Sequence, residues 1–95
     1  MRRAARVDAN HNDVVKALQA IGCSVAPLST VGGGMPDLLV GYRGRNFLIE
    51  VKDGEKVPSK RKLTDDQITW IGAWKGQTAI AYSIEDALNI VRGEK

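Results

Sequence analysis

Asp37, Glu50 and Lys52 are the residues whose types and spacing could do chemistry. Asp37 follows Gly32-Gly33-Gly34-Met35-Pro36 and opens the apolar run Leu38-Leu39-Val40. Glu50 interrupts a second run, Phe47 to Val51, and Lys52 lies two positions on. Side chains alternate across a strand, so Glu50 and Lys52 share one face while Ile49 and Val51 share the other. A two-residue turn between the runs brings Asp37 onto the same face. With the turn at Arg43-Gly44, Asp37 faces Glu50; with the turn at Gly44-Arg45, it faces Lys52. A three-residue turn would send Asp37 to the opposite face. Two adjacent carboxylates repel unless a cation sits between them or one is protonated. Oxygen ligands of this kind suit Mg²⁺, which takes one or two carboxylates, waters and phosphate oxygens. A neighbouring lysine adds a compact positive charge at the same phosphate, to orient a water nucleophile or stabilise developing charge. Acid, acid, lysine and metal together describe phosphodiester hydrolysis. The alternative is a half-exposed strand face on which Glu50 and Lys52 form an ordinary surface ion pair.

The elements around these residues can be read from periodicity and punctuation. Val14, Val15, Leu18 and Ile21 recur at helical spacing between Asp8 and Ile21, and Gly22 ends that helix. Cys23 to Leu28 is a short strand with Pro27 at an edge or at its end. Residues 29 to 36 form a glycine-rich loop. Leu38 to Tyr42 and Phe47 to Val51 are strands joined around Arg43-Gly44-Arg45-Asn46. Residues 53 to 62 are polar and basic and contain Pro58, which reads as an exposed loop. Thr64 and Gln67 form a capping box for a second helix, with Ile68, Ile71 and Trp74 on one face and Gly76 at its end. Gln77 to Tyr82 is a strand. Ser83 caps a last helix carrying Ile84, Leu88 and Val91. The order is α-β-β-β-α-β-α, a small α/β domain with a mixed sheet.

Ninety-five residues, 43% hydrophobic and 26% charged, describe one globular domain over residues 1–95. No apolar run approaches the roughly 18 residues a membrane span requires, and the start MRRAARVDAN lacks the apolar stretch of a secretory signal. Cys23 is the one cysteine, so an internal disulfide and a cysteine-based zinc site are both excluded, and a cytoplasmic setting fits. The net charge is +3. Its basic residues gather at Arg2, Arg3 and Arg6, at Arg43 and Arg45, and at Lys56, Lys60, Arg61 and Lys62. Basic clusters of this kind suit phosphate backbones, as well as a merely solvated surface.

Pro36-Asp37 followed by Glu50-Val51-Lys52 is similar to the P-D…(D/E)-x-K signature of the PD-(D/E)xK nuclease superfamily, whose restriction-endonuclease-like core runs α-β-β-β-α-β. The approach GGGMPDLLVG, the ending LIEVKDG and the later L-T-x-x-Q resemble the VRR-NUC family over roughly residues 8 to 90. That family includes small free-standing phage and bacterial proteins, which would place this chain in a bacterial cytoplasm. The resemblance implies a Mg²⁺- or Mn²⁺-dependent, structure-specific DNA endonuclease, with four-way junctions as the leading substrate. Asp37 and Glu50 match the metal-binding acids, the main-chain carbonyl of Val51 a further ligand, Lys52 the motif lysine and Gln67 the helix glutamine. Members also tend to carry a glutamate on the first helix. Asp13 is the nearest candidate here and is one carbon shorter, so it could equally be a solvated helix residue. Lys56, Lys60, Arg61, Lys62, Arg43, Arg45, Gly33 and Gly34 are the candidate DNA contacts. A symmetric junction calls for paired cuts, hence a homodimer. The other readings are a flap or duplex nickase, a non-catalytic DNA-binding module that keeps the fold, and a domain whose basic loop takes acidic protein partners.

Three further features point elsewhere. His11, in Asn10-His11-Asn12-Asp13, has no histidine or cysteine partner and reads as a solvated first-turn residue. The glycine triplet is not followed by a helix with Lys-Ser/Thr, so it is not a P-loop; it lets the chain turn close to Asp37. Trp70 and Trp74 project on one side of the second helix, as core or as a subunit contact.

Overall fold

The computed structural model describes residues 9 to 93; the arginines at 2, 3 and 6 lie outside them. Three helices, α1 (His11–Ala20), α2 (Asp65–Ala73) and α3 (Ile84–Arg92), accompany four strands, β1 (Ser24–Pro27), β2 (Leu38–Tyr42), β3 (Arg45–Val51) and β4 (Thr78–Ala81). The order is the expected α-β-β-β-α-β-α, and a single 3₁₀ turn, Pro58–Lys60, interrupts the basic loop. The sheet is mixed, in the order β1-β2-β3-β4. β1, β2 and β3 pair antiparallel, and β4 joins β3 in parallel after the α2 crossover.

The hairpin closes on Arg43-Gly44, with Tyr42 opposite Arg45. Both turn residues have positive φ, 51° at Arg43 and 78° at Gly44. That combination twists a two-residue turn in the sense of the flanking strands. Glycine adopts it freely; Arg43 does so with a small steric strain. Because the turn is so short, β3 begins two residues earlier than the apolar run alone indicates.

Strand alternation then divides the sheet into two unlike faces. Leu38, Val40, Phe47, Ile49, Val51 and Ala81 point to one side, where Val14 and Leu18 of α1 and Ala87 and Val91 of α3 bury them. This is the core. The side chains between them, Leu39, Leu48, Glu50 and Thr78, face the other way, towards α2. No residue of α2 is buried. Ile68 and Trp74, on the apolar stripe the sequence assigns to it, remain mostly exposed, Trp74 by 46%. Helix caps follow the sequence closely. Thr64 Oγ1 accepts from Gln67 N, Gln67 Oε1 accepts from Thr64 N, and Ser83 Oγ accepts from Asp86 N.

Candidate active site

Carried one step beyond Leu38–Ile49, the hairpin register sets Asp37 opposite Glu50. Both acids and Lys52 are buried, at 8%, 2% and 9% exposure. They share the sheet face that α2 overhangs. An exposed strand face with a solvated ion pair is therefore the wrong description of this place. Asp37 Oδ2 accepts from the Val51 N–H at 2.9 Å, which ties the acid at the start of β2 to the motif on β3. Lys52 Nζ lies 3.6 Å from Glu50 Oε2. The same oxygen accepts from Gln67 Nε2 at 2.8 Å. Gln67 thus has two duties: its Oε1 completes the cap of α2 while its Nε2 reaches the acid on β3. The capping box places the helix so that a surface glutamine becomes a partner of the site.

Glu50 Oε1 is left buried with no hydrogen-bond partner. An unsatisfied carboxylate oxygen in the interior is destabilising, and its electrostatics agree. Burial, and then the Asp37 charge beside it, push the Glu50 carboxyl up from its ordinary 4.5 to about 7, against the pull of Lys52. A divalent cation would relieve the repulsion and satisfy the orphan oxygen together. Among the described residues no group of three or more His, Cys, Asp or Glu is poised around a metal. Two acids are nevertheless within what Mg²⁺ takes from a protein, since it keeps much of its water.

The other candidates fall at varying distances from this cluster. Asp13 is exposed and lines a separate hollow of about 330 Å³ with Asn10, Asp53, Glu55, Tyr82 and Ser83. Lys56, Lys60 and Lys62 are exposed on the loop that leaves Lys52. Arg61 is half-buried and engaged within the protein: its Nη1 donates to the Gly54 carbonyl and its guanidinium lies over the Tyr82 ring. Arg43 lies in the hairpin turn and Arg45 just after it, over Tyr42 and Phe47 respectively. Roughly five residue steps separate them from the acids, about 17 Å along the strands. Gly33 and Gly34 both have positive φ, yet only Gly34 is confined. A Cβ there would fall on the Asp66 carbonyl oxygen, so Gly34 lets the loop pack against the first turn of α2. Gly33 faces open space.

One residue behaves unlike its sequence reading, and a neighbour has a role no reading assigned. His11, read as solvated, is only 7% exposed, and its Nδ1 has no partner. The first turn of α1 lies against the sheet instead of projecting from it. Asn10 looks like a helix cap, the usual use of asparagine before a helix. Its side chain makes no cap bond. Instead its Nδ2 donates to the Lys52 carbonyl at 3.1 Å, across 42 residues of sequence, while the Lys52 N–H bonds Ala81 O at 2.9 Å. The peptide groups flanking the motif lysine are held from both sides. No local signal distinguishes this asparagine from a cap.

Among solved structures, the fold is similar to one described as a VRR_NUC domain. The two share 25% sequence identity with a TM-score of 0.61, over 85% of this chain and 92% of the other. No family model and no curated protein matches the sequence. The chain is therefore similar in fold to a VRR-NUC domain. Its restriction-endonuclease-like fold agrees with the order of elements and with the mixed sheet. Among the described residues of this domain, no helix is long and apolar enough to cross a membrane.

Proposed function

We propose that this VRR-NUC-like domain is a divalent-metal-dependent DNA endonuclease that hydrolyses phosphodiester bonds at branched DNA, with four-way junctions the preferred substrate. The observation that carries the reading is Glu50 Oε1, a buried carboxylate oxygen without a partner, set beside a second acid and a lysine. Asp37, Glu50 and the main-chain carbonyl of Val51 would hold Mg²⁺ or Mn²⁺. The ion would polarise the phosphodiester and offset the charge that develops on it. Lys52, anchored at both of its flanking peptide groups, presents its ammonium to the same phosphate and helps to orient the attacking water. Gln67 fixes one oxygen of Glu50, so the other, Oε1, would be the one to bind the ion. The exposed lysines at 56, 60 and 62 would grip the backbone beyond the scissile phosphate, and Asp13 would lie outside this first ring of groups.

Paired cuts across a junction need two such sites in fixed relation. The open face of the sheet and α2 carries exposed apolar surface at Leu39, Ile68 and Trp74, and the Trp70 and Trp74 rings stack at 4.7 Å. A two-fold dimer through this surface would supply the second site. The test is incubation of the protein with labelled four-way junction, flap, duplex and single-stranded DNA, with and without Mg²⁺. Metal-dependent, paired and near-symmetric nicks in the junction are expected, together with a dimer mass by light scattering at micromolar concentration. Single nicks from a monomer would reduce the reading to a structure-dependent nickase. Tight DNA binding without any cleavage in Mg²⁺ or Mn²⁺ would leave only a binding module. Asp37→Asn and Glu50→Gln should each lower cleavage by about 10²-fold or more with the fold intact; normal cleavage by either would remove the metal assignment.

A further inference from the structure

Resting on the nuclease reading, we propose that Arg61 acts as the positioning residue that sets the basic loop against the β4–α3 junction, and that it does not itself grip phosphate. The loop leaves β3 at Lys52 and would swing freely if nothing closed it. Instead it is fastened twice to the end of β4. The Gly54 N–H donates to the Tyr82 carbonyl at 2.9 Å, and no side chain is admissible at this approach, since a Cβ on Gly54 would stand 2.5 Å from the Tyr82 oxygen. The 3₁₀ turn Pro58–Lys60 then reverses the chain, with Lys60 N bonding Val57 O and Arg61 N bonding Pro58 O. This brings Arg61 back over the loop's own beginning. Its Nη1 donates to the Gly54 carbonyl at 2.5 Å, and its guanidinium carbon lies 5.7 Å from the centre of the Tyr82 ring. The N–H and the carbonyl of Gly54 are therefore both taken, one by Tyr82 and the other by Arg61.

Tyr82 is an anchored point. Its N–H donates to Asp86 Oδ2 at 2.9 Å, and Ser83 caps the same helix through Asp86 N. Arg61 thereby closes the loop from Gly54 onwards against the β4–α3 junction, with exposed lysines at 56 and 60 inside the closure and Lys62 just beyond it. A planar, multiply donating cation is needed for this, because it must stack on a ring and donate to a carbonyl at once. A phosphate can, by contrast, also be held by the point charge of a lysine.

Charge-conserving and charge-neutral variants separate the two roles. In the full chain, Arg61→Lys and Tyr82→Ala should each weaken junction binding and raise KM by about tenfold, the scale of one charge-assisted hydrogen bond or stacking contact. Single-turnover cleavage at saturating DNA should stay within a few-fold of wild type. In the free protein both variants should speed amide hydrogen exchange over residues 53 to 62 by a similar factor. Lys60→Ala with Lys62→Ala should instead flatten the salt dependence of binding by up to about 0.9 log units for each phosphate no longer neutralised, with loop exchange as in wild type. The assignment is overturned if Arg61→Lys binds DNA as wild type does, or if loop exchange is the same in Arg61→Lys, Tyr82→Ala and wild type. Exchange is read without DNA, so a wild-type protein that bound no DNA would count against the nuclease reading and leave exchange to decide on Arg61.

Discussion

Leu38 and Leu39 are neighbours in sequence and opposites in the fold. Leu38 is fully buried between the sheet and helices α1 and α3, whereas Leu39, on the other face, is 38% exposed. The same contrast runs through the whole sheet. One face is closed by two helices, and the strand residues it buries are all apolar; the other is overhung by a helix that buries none of its own residues and holds two acids, a lysine and a glutamine. The apolar core and the buried charges have been divided between the two sides of one four-stranded sheet. A carboxylate such as Glu50 destabilises the place it occupies, and the apolar core buried on the opposite face offsets that cost.

The largest expected effect is on the closed face. Leu38→Ala should destabilise the protein by about 2–5 kcal/mol, while Leu39→Ala should cost about 1 kcal/mol or less. Urea titration of the pair measures both, and equal losses would break the division between faces. Next in size is a loss of rate without loss of fold: Lys52→Ala should lower cleavage by about 10²-fold while DNA affinity changes only a few-fold and the melting temperature is retained. A parallel fall in affinity would make Lys52 a binding group instead.

A smaller effect, and the sharpest, concerns pH. The Glu50 carboxyl holds its proton up to about 7 in the folded protein and only to about 4.5 in the unfolded chain. Between those values the native state binds more protons, so this group lowers stability as pH rises and its full penalty is present above 7. Without metal, wild-type protein should therefore lose melting temperature relative to Glu50→Gln between pH 5 and pH 8. Added Mg²⁺ should restore it to wild type and do nothing for the variant. Parallel melting curves for the two proteins across that range would show that Glu50 is not held in this state. The smallest comparison is within the glycine loop. Gly33→Ala and Gly34→Ala share the strain of positive φ, about 1 kcal/mol, and only Gly34→Ala adds a collision with α2. Cleavage should fall further in Gly34→Ala, because α2 carries the Gln67 that holds Glu50; equal rates would separate the helix from the site.

Much of this was determined by the sequence alone. Helix periodicity, the Thr64–Gln67 and Ser83 caps, and the alternation that puts Glu50 and Lys52 on one face are local properties, dictated by three- to four-residue hydrogen bonds and by strand geometry. Even the meeting of Asp37 with Glu50 was nearly legible, since Gly44 leaves a two-residue turn only two positions. Tertiary structure decided the rest. It chose the register, through the positive φ at Arg43. It also buried His11 by laying the start of α1 on the sheet, and left the apolar stripe of α2 open. Asn10 went to the Lys52 carbonyl, and Arg61, read from the sequence as a DNA contact, to Gly54 and Tyr82. Those choices lie beyond local pattern for one reason. An asparagine amide or a guanidinium finds its partner by where two distant backbone carbonyls come to rest, and that is settled only when the sheet has packed against its helices.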